Sequence, residues 1–354
     1  MDIQKAAYAF SMDGKPVSCG RFGNGHINET FMVTTAKKRS YVLQHINKHV
    51  FKNPPQLMEN ANGVTSFIRD KGGFALTFLT TADGSPCYCD EQGEYWRAYE
   101  YVGGLCLDAA ETAEDFYQSG LAFGQFQDQL SDYPAHTLHE TIPNFHNTPD
   151  RFRQLRQAIE ENRSGRLDSC RNEVEFYLAH EELGGKLYSM LEAGQLPLRV
   201  THNDTKLNNV LLEPETHQPL CVLDLDTVMP GLSAYDFGDS IRFGAATAAE
   251  DEKDASKMKL DIALFEAFTR GFLKGAPNLT ENEKKALPLG AFTMTLECGS
   301  RFLKDYLDGD VYFRTHYPEH NLVRCRTQMA MCADMLRRWA DMEAVVEKVS
   351  TEVL

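Results

Sequence analysis

The sequence predicts an α+β fold in two lobes, a small β-rich N-lobe over residues 1–103 and a larger helical C-lobe over residues 104–354. Three observations predict it. Up to Val102 the chain reads as short strands broken by turns. Beyond Gly103-Gly104 helix-capping signals recur. One β-rich island, Leu196 to Leu225, then interrupts the helices.

Taken in order, Val17–Cys19 and Thr30–Thr34 are strands flanking Asn24-Gly25, a pair whose tolerance of positive φ suits a hairpin. Tyr41–Ile46 is a further strand, Leu57–Arg69 a helix, and Leu76–Thr80 and Tyr95–Val102 are strands. Thr112 and Asp115 are spaced as a capping box ahead of Phe116, Leu121, Phe123, Phe126 and Leu130. Thr148-Pro149 opens another helix, with Pro at the first helical position where a missing N–H costs nothing. Thr280 and Glu283 repeat the box, and Met329–Val349 reads as one terminal amphipathic helix. In the island, strands Leu196–Val200, Val210–Leu212 and Leu220–Asp224 are separated by the polar loop Thr201–Asn209 and the turn Glu213–Gln218.

Composition narrows the function classes. The 354 residues carry 51 acidic and 36 basic side chains, a net charge of −15. That excess argues against a nucleic-acid partner, whose phosphates demand a basic face. The expected partner is a small molecule, with any anionic ligand held by a local cluster of cations. No apolar run approaches the ~20 residues that span a bilayer, and MDIQKAAYAFSMDGK lacks the basic-then-apolar order of a signal peptide. Nine cysteines, an odd number scattered from Cys19 to Cys332, read as reduced thiols of a cytoplasmic protein. The absence of a coiled-coil pattern makes a monomer the expected state.

The island concentrates the chemistry. Its strands can set two loops side by side, presenting Asp204, Lys206, Asn209, Asp224 and Asp226 to one site. Phosphoryl transfer asks for this inventory. Charge on the transferred group's oxygens is stabilised by positioning and by neutralisation. Mg²⁺ takes one or two carboxylates plus substrate phosphates, and a further carboxylate accepts the hydroxyl's proton.

His202-Asn203-Asp204-Thr205-Lys206-Leu207-Asn208-Asn209 resembles a kinase catalytic loop, with Asn five positions after the Asp. Asp224 follows Asp204 by twenty residues, and Tyr235-Asp236-Phe237-Gly238-Asp239 comes next. Together these resemble the aminoglycoside phosphotransferase/choline kinase superfamily. Within it, GNGHINETF, YVLQHIN, THNDTKLNN, LDLDTVMPG, YDFGDSIRFG and RFLKDYLDGDVYF are similar to stretches of the bacterial N-acetylhexosamine 1-kinases.

The resemblance implies a protein-kinase-like fold, ATP and Mg²⁺ as cofactors, and the anomeric C1 hydroxyl of N-acetylglucosamine or N-acetylgalactosamine as acceptor. It implies Asp204 as general base, Lys206 as the cation facing the phosphoryl group, and Asn209 and Asp224 as metal ligands. Asp226 takes a second metal position or holds its loop, while His202 and Asp236 brace the catalytic loop. Gly23, Asn24 and Gly25, with Gly20, would cover the nucleotide phosphates, and Glu100 and Val102 would meet adenine at the hinge. His26, Phe243, Arg301 and Tyr312, with Asp204, would hold the sugar.

One position departs from the kinase pattern. The lysine expected on the third strand is Gln44, which brings no charge to phosphate and leaves a pairing with Glu59 in doubt. Two other readings stay open: a kinase of another alcohol such as choline or an aminoglycoside, and a nucleotide-binding regulator without turnover. With no Gly-x-Ser-x-Gly elbow, His-Glu-x-x-His or Walker A loop, the common hydrolase and P-loop routes are closed.

Overall fold

Period-2 alternation builds the N-lobe sheet and decides which side chains reach the cleft. The computed structural model describes residues 2–23 and 27–353. Helix α1 (Ile3–Ala9) opens the chain, capped by Asp2, whose side chain accepts from the Lys5 N–H. Strands β1 (Pro16–Arg21), β2 (Glu29–Thr35) and β3 (Ser40–Ile46) precede helix α2 (Pro54–Asp70), and β4 (Tyr88–Cys89) and β5 (Tyr95–Glu100) follow it. They form one antiparallel sheet in the order β1-β2-β3-β5-β4.

One face buries Phe31, Val33, Tyr41, Leu43, Trp96 and Ala98 with Ala6 and Ala7 of α1. The intervening residues, among them the register partners Thr30, Gln44 and Arg97, turn to the opposite face. The expected hairpin is present as the β1–β2 pair, while Asn24, Gly25 and His26 lie outside the described residues.

Leu76–Thr80 does not form the expected strand. It meets β5 only through the Phe78↔Tyr99 bridge and two backbone bonds, Leu79 N–H to Ala98 O (2.8 Å) and Glu100 N–H to Thr77 O (3.0 Å). The short β4 occupies the rest of that edge, at Tyr95 and Trp96, so no room remains for a longer ladder.

The C-lobe begins with α3 (Ala113–Gln129), its Thr112/Asp115 capping box formed in both directions. In α4 (Thr148–Glu161) Asn147 supplies the cap, which makes Pro149 the second helical residue rather than the first. Helices α5 (Arg171–Ala179), α6 (Glu181–Gly184) and α7 (Lys186–Glu192) lead to the island. There β6 (Arg199–Thr201), β7 (Val210–Leu212), β8 (Pro219–Val222) and β9 (Met229–Gly231) make two separate ribbons, β6–β9 and β7–β8. Strand β9 was not foreseen, and the strand expected over Leu196–Val200 sits a few residues later, where it can pair with β9.

Helices α8 (Ser233–Gly244), α9 (Ile262–Gly275), α10 (Glu281–Asp308), α11 (His320–Arg337) and α12 (Trp339–Val353) complete the lobe. The Thr280/Glu283 box caps α10 as expected. The single terminal helix expected over Met329–Val349 is two. The Arg338 N–H closes α11 on the Asp334 carbonyl, and the chain turns so that Trp339 meets Phe292 edge-on at 6.0 Å. Met342, Val346 and Val349 then reach the main core along a new axis.

Helix α8 lies so close to α10 that a Cβ on Gly238 would stand 2.2 Å from the Gly290 carbonyl oxygen. This contact seats the acidic turn of α8 beneath the island. Nine cysteines are free thiols, and among the described residues no helix is long and apolar enough to cross a membrane.

Candidate active site

The loop after β6 is held in shape by α8. Asp236, fully buried, accepts from the backbone N–H groups of His202 (2.9 Å) and Asn203 (2.7 Å) and from Gln127 Nε2 (2.7 Å). Burial pushes its carboxyl up, against the pull of the loop's N–H groups and of His202. One turn on, Asp239 Oδ2 accepts the Thr205 N–H at 3.1 Å, while Thr205 Oγ1 donates to the Asp236 carbonyl at 2.6 Å. Burial opposes ionisation of Asp239, but Arg242 and Lys206 outweigh it and hold the carboxyl low. Asn203 takes a left-handed φ of 65°, which Asn tolerates better than most residues. The turn delivers Asp204 to the surface of the interlobe cleft.

His202 ties this loop to the next one, consistent with a bracing role. Its Nε2 bonds the Leu223 carbonyl at 2.7 Å, and its ring lies edge-on to Phe123 and Phe126. The Leu223 N–H in turn donates to the Asn209 carbonyl at 2.7 Å. Asp224 therefore follows Leu223 directly into the cleft. It is not the last residue of a strand, as the sequence suggests, but a left-handed turn residue with φ 53°.

The Asp224 carboxylate faces open cleft yet is walled by protein. That desolvation, with Asp226 beside it and Asp204 opposite, pushes it up to about 6, and Arg97 only partly offsets the rise. No side-chain bond satisfies it among the described residues. Asn209 Nδ2 donates to the Asp204 carbonyl (2.8 Å) and to Asp204 Oδ2 (3.3 Å), which leaves its amide oxygen as what it offers a cation.

A carboxylate and an amide oxygen on two loops joined by the Leu223–Asn209 backbone bond fit a hard divalent ion that draws its remaining ligands from phosphate. Among the described residues no cluster of three or more His, Cys, Asp or Glu forms a complete cage. Asp226 is already engaged: it pairs with the buried Arg97 and accepts from Asn28 Nδ2 at 2.6 Å, joining the lobes.

Lys206 Nζ lies 2.8 Å from Asp204 Oδ1. Burial works to lower its pKa, but Asp204 and Asp239 prevail and keep the ammonium charged. Asp204, Lys206, Phe243, Arg301 and Tyr312 all line one cavity of about 460 Å³. Arg301 reaches from α10 over the rings of Tyr312 (5.9 Å) and Phe313 (5.4 Å). On the same wall His146 Nδ1 bonds the buried Glu297 at 3.0 Å, while His146 Nε2 is buried without a hydrogen-bond partner and Arg324 Nε lies 3.8 Å from Glu250 Oε2.

On the N-lobe side, Cβ atoms at Gly20 and Gly23 would meet open space, so the strand edge can approach a ligand closely. Glu100 ends β5, the Tyr101 N–H bonds the Ser40 carbonyl at 3.1 Å, and Leu105 exchanges two 2.8 Å backbone bonds with Leu212. Val102 thus lies on the crossing between lobes. Phe22 and Tyr101 stack edge-to-face at 5.8 Å beside it. Gln44 does not pair with Glu59, which bonds His139 Nε2 at 2.6 Å near the surface. Gln44 bonds Thr30 and Arg97 instead.

The sequence reading missed Arg97, Asp239, Arg242 and His146. The signal for Arg97 was a charge inside the strand Tyr95–Glu100; for Asp239, its place one turn after Asp236. His146 carried no local signal, because its neighbour Glu297 is distant in the chain.

The model of the phosphotransferase enzyme family matches residues 18–271. Among solved structures, the chain is similar to an aminoglycoside phosphotransferase from Alicyclobacillus acidocaldarius, with 16% identity over 98% of this chain and 97% of that one and a TM-score of 0.66. It is also similar to an amicoumacin kinase in complex with AMP-PNP, Ca²⁺ and Ami (13%, 93% and 92%, TM-score 0.60). A third is choline kinase from Cryptosporidium parvum (14%, 93% and 91%, TM-score 0.55). At these identities the structures establish a shared fold, while the family model spans most of the chain. The chain belongs to the phosphotransferase enzyme family.

Proposed function

We propose that the protein transfers the γ-phosphoryl group of ATP, with Mg²⁺, to the anomeric C1 hydroxyl of an N-acetylhexosamine, giving the sugar 1-phosphate and ADP. The observation that carries this reading is the make-up of the cavity beside Asp204. Its wall presents Arg301, Arg314 and Arg324, and the Arg301 guanidinium lies over aromatic rings rather than on a carboxylate. The orphaned His146 Nε2 calls for a ligand with hydrogen-bonding groups. With Asp204, Asp239, Glu250 and Glu297 among its lining as well as the arginines, such a wall offers both donors and acceptors to sugar hydroxyls and an acetamido carbonyl.

In this reading Asp204 takes the hydroxyl proton. The anomeric hydroxyl is more acidic than an ordinary alcohol, so a modest base suffices. Lys206 stabilises charge on the transferred group, and Asn209 and Asp224 hold the metal that neutralises the phosphates. Gly23, Asn24 and Gly25 cover the phosphates, and the backbone at Glu100 and Val102 receives adenine. Phe243, Arg301 and Tyr312, with His26, hold the sugar. A monomer in the cytoplasm completes the proposal.

A phosphorus NMR spectrum of the product from ATP, Mg²⁺ and N-acetylglucosamine tests it. Coupling of phosphorus to the anomeric proton supports C1 transfer. ADP release with choline or kanamycin and none with either hexosamine would overturn the acceptor assignment. ATP binding without ADP release on any acceptor would favour a regulator.

A further inference from the structure

A row of polar side chains crosses three strands on the cleft-facing side of the N-lobe sheet. Thr30, Gln44 and Arg97 are direct register partners on β2, β3 and β5. Gln44 Nε2 donates to Thr30 Oγ1 at 3.0 Å, and Arg97 Nε donates to Gln44 Oε1 at 2.8 Å. The far end of Arg97 pairs with Asp226 across the cleft. Arg97 is 2% exposed and Asp226 3%.

Burying a guanidinium is expensive unless anions surround it. Burial lowers the Arg97 pKa, but Asp226 and, more weakly, Asp224 reverse that and hold the charge. A nucleotide polyphosphate entering the cleft adds further negative charge beside Asp204, Asp224 and Asp226. The third strand, with Gln44, has no cation to meet it. Alternation places Thr30, Met32 and Thr34, Val42, Gln44 and Ile46, and Tyr95, Arg97 and Tyr99 on the cleft-facing side of these strands. Among the described residues of that set, Arg97 alone is basic.

We propose that Arg97 carries the phosphate-binding charge that the third strand lacks. Its guanidinium holds α- and β-phosphate oxygens of the nucleotide, and Gln44, bonded to its Nε, fixes the plane of the fork. The charge has moved one strand across the sheet while staying in the same register row. Gln44 is then a positioning residue, and its amide suits the task because a lysine there would repel Arg97. The inference rests on the chain using ATP but is independent of the acceptor.

Calorimetric titration with MgADP and with adenosine tests it on the wild type, Arg97→Met, Arg97→Lys and the exchange Gln44→Lys/Arg97→Gln. Charge-assisted bonds lost in Arg97→Met should weaken MgADP by roughly 10–100-fold and leave adenosine within about twofold. Arg97→Lys, which keeps the charge and folds most conservatively, should lose less than Arg97→Met, and the exchange should recover most of the MgADP affinity. If the wild type binds no MgADP, the reading of the chain as an ATP user fails. If the wild type binds and Arg97→Lys and the exchange both bind MgADP as weakly as Arg97→Met while adenosine weakens in parallel, Arg97 merely joins the lobes and the proposal fails. Full MgADP affinity in Arg97→Met overturns it equally.

Discussion

Asp224→Asn is expected to stabilise the nucleotide-free protein while removing its response to MgADP. The cleft walls, and Asp226 beside it, raise the Asp224 carboxyl from 3.8 to about 6. A folded state that holds the proton more tightly than the unfolded one is favoured at low pH. That contribution is complete below about pH 4 and is lost as pH rises through 6. At about 1.4 kcal/mol per pH unit the ceiling is ~3 kcal/mol. Asp224 as a whole residue is solvent-exposed, so solvent screening reduces this to about 1 kcal/mol. With an unfolding entropy of about 2 cal/mol/K per residue, a chain of this length should gain roughly 1–2 °C in Tm. Differential scanning fluorimetry at about pH 7.5 and about pH 4.5, with and without MgADP, reads both effects. The variant should melt higher at the upper pH and nearly level at the lower, and MgADP should raise only the wild type. A variant that melts lower at the upper pH, or gains equally at both, would refute the account of Asp224 as an uncompensated carboxylate.

Other changes follow from the same geometry. Asp204→Asn should abolish phosphorylation yet keep most of the thermal stabilisation by MgADP; surviving turnover would remove Asp204 as the base. Asp236→Ala strips three donors of their acceptor and should lower unfolding free energy in urea by roughly 2–4 kcal/mol. Gly238→Ala forces a Cβ against the Gly290 carbonyl and should yield aggregated or strongly destabilised protein, visible in its soluble fraction and Tm. Arg301→Ala should raise the KM for N-acetylglucosamine with ATP kinetics little changed, as initial-rate measurements would show.

Much of the architecture was legible because its signals are local. The capping boxes at Thr112 and Thr280, the strand alternation of the N-lobe and the two-loop island all depend on neighbours a few residues apart. Boundaries failed where a distant partner decided them. Leu76–Thr80 lost its edge to β4, β6 moved to meet β9, and the terminal helix broke at Arg338 to bring Trp339 onto Phe292. The juxtaposition of Asp204, Lys206 and Asn209 was legible from spacing, whereas His146 and Glu297 are 151 positions apart and could not be paired by pattern.

By itself the chain's order of residues determined a β-rich lobe before a helical one, and placed an Asp-x-Lys loop twenty residues ahead of a second Asp. Only the folded molecule decided that Asp224 would stand without a side-chain hydrogen bond, that Asp226 would be spent on Arg97, and that arginines and carboxylates from distant segments would line the cavity beside Asp204. The reason is physical. Hydrogen bonding and capping act over one or two turns of chain, but desolvation and Coulomb interactions depend on what lies within a few ångströms, whatever its distance in sequence.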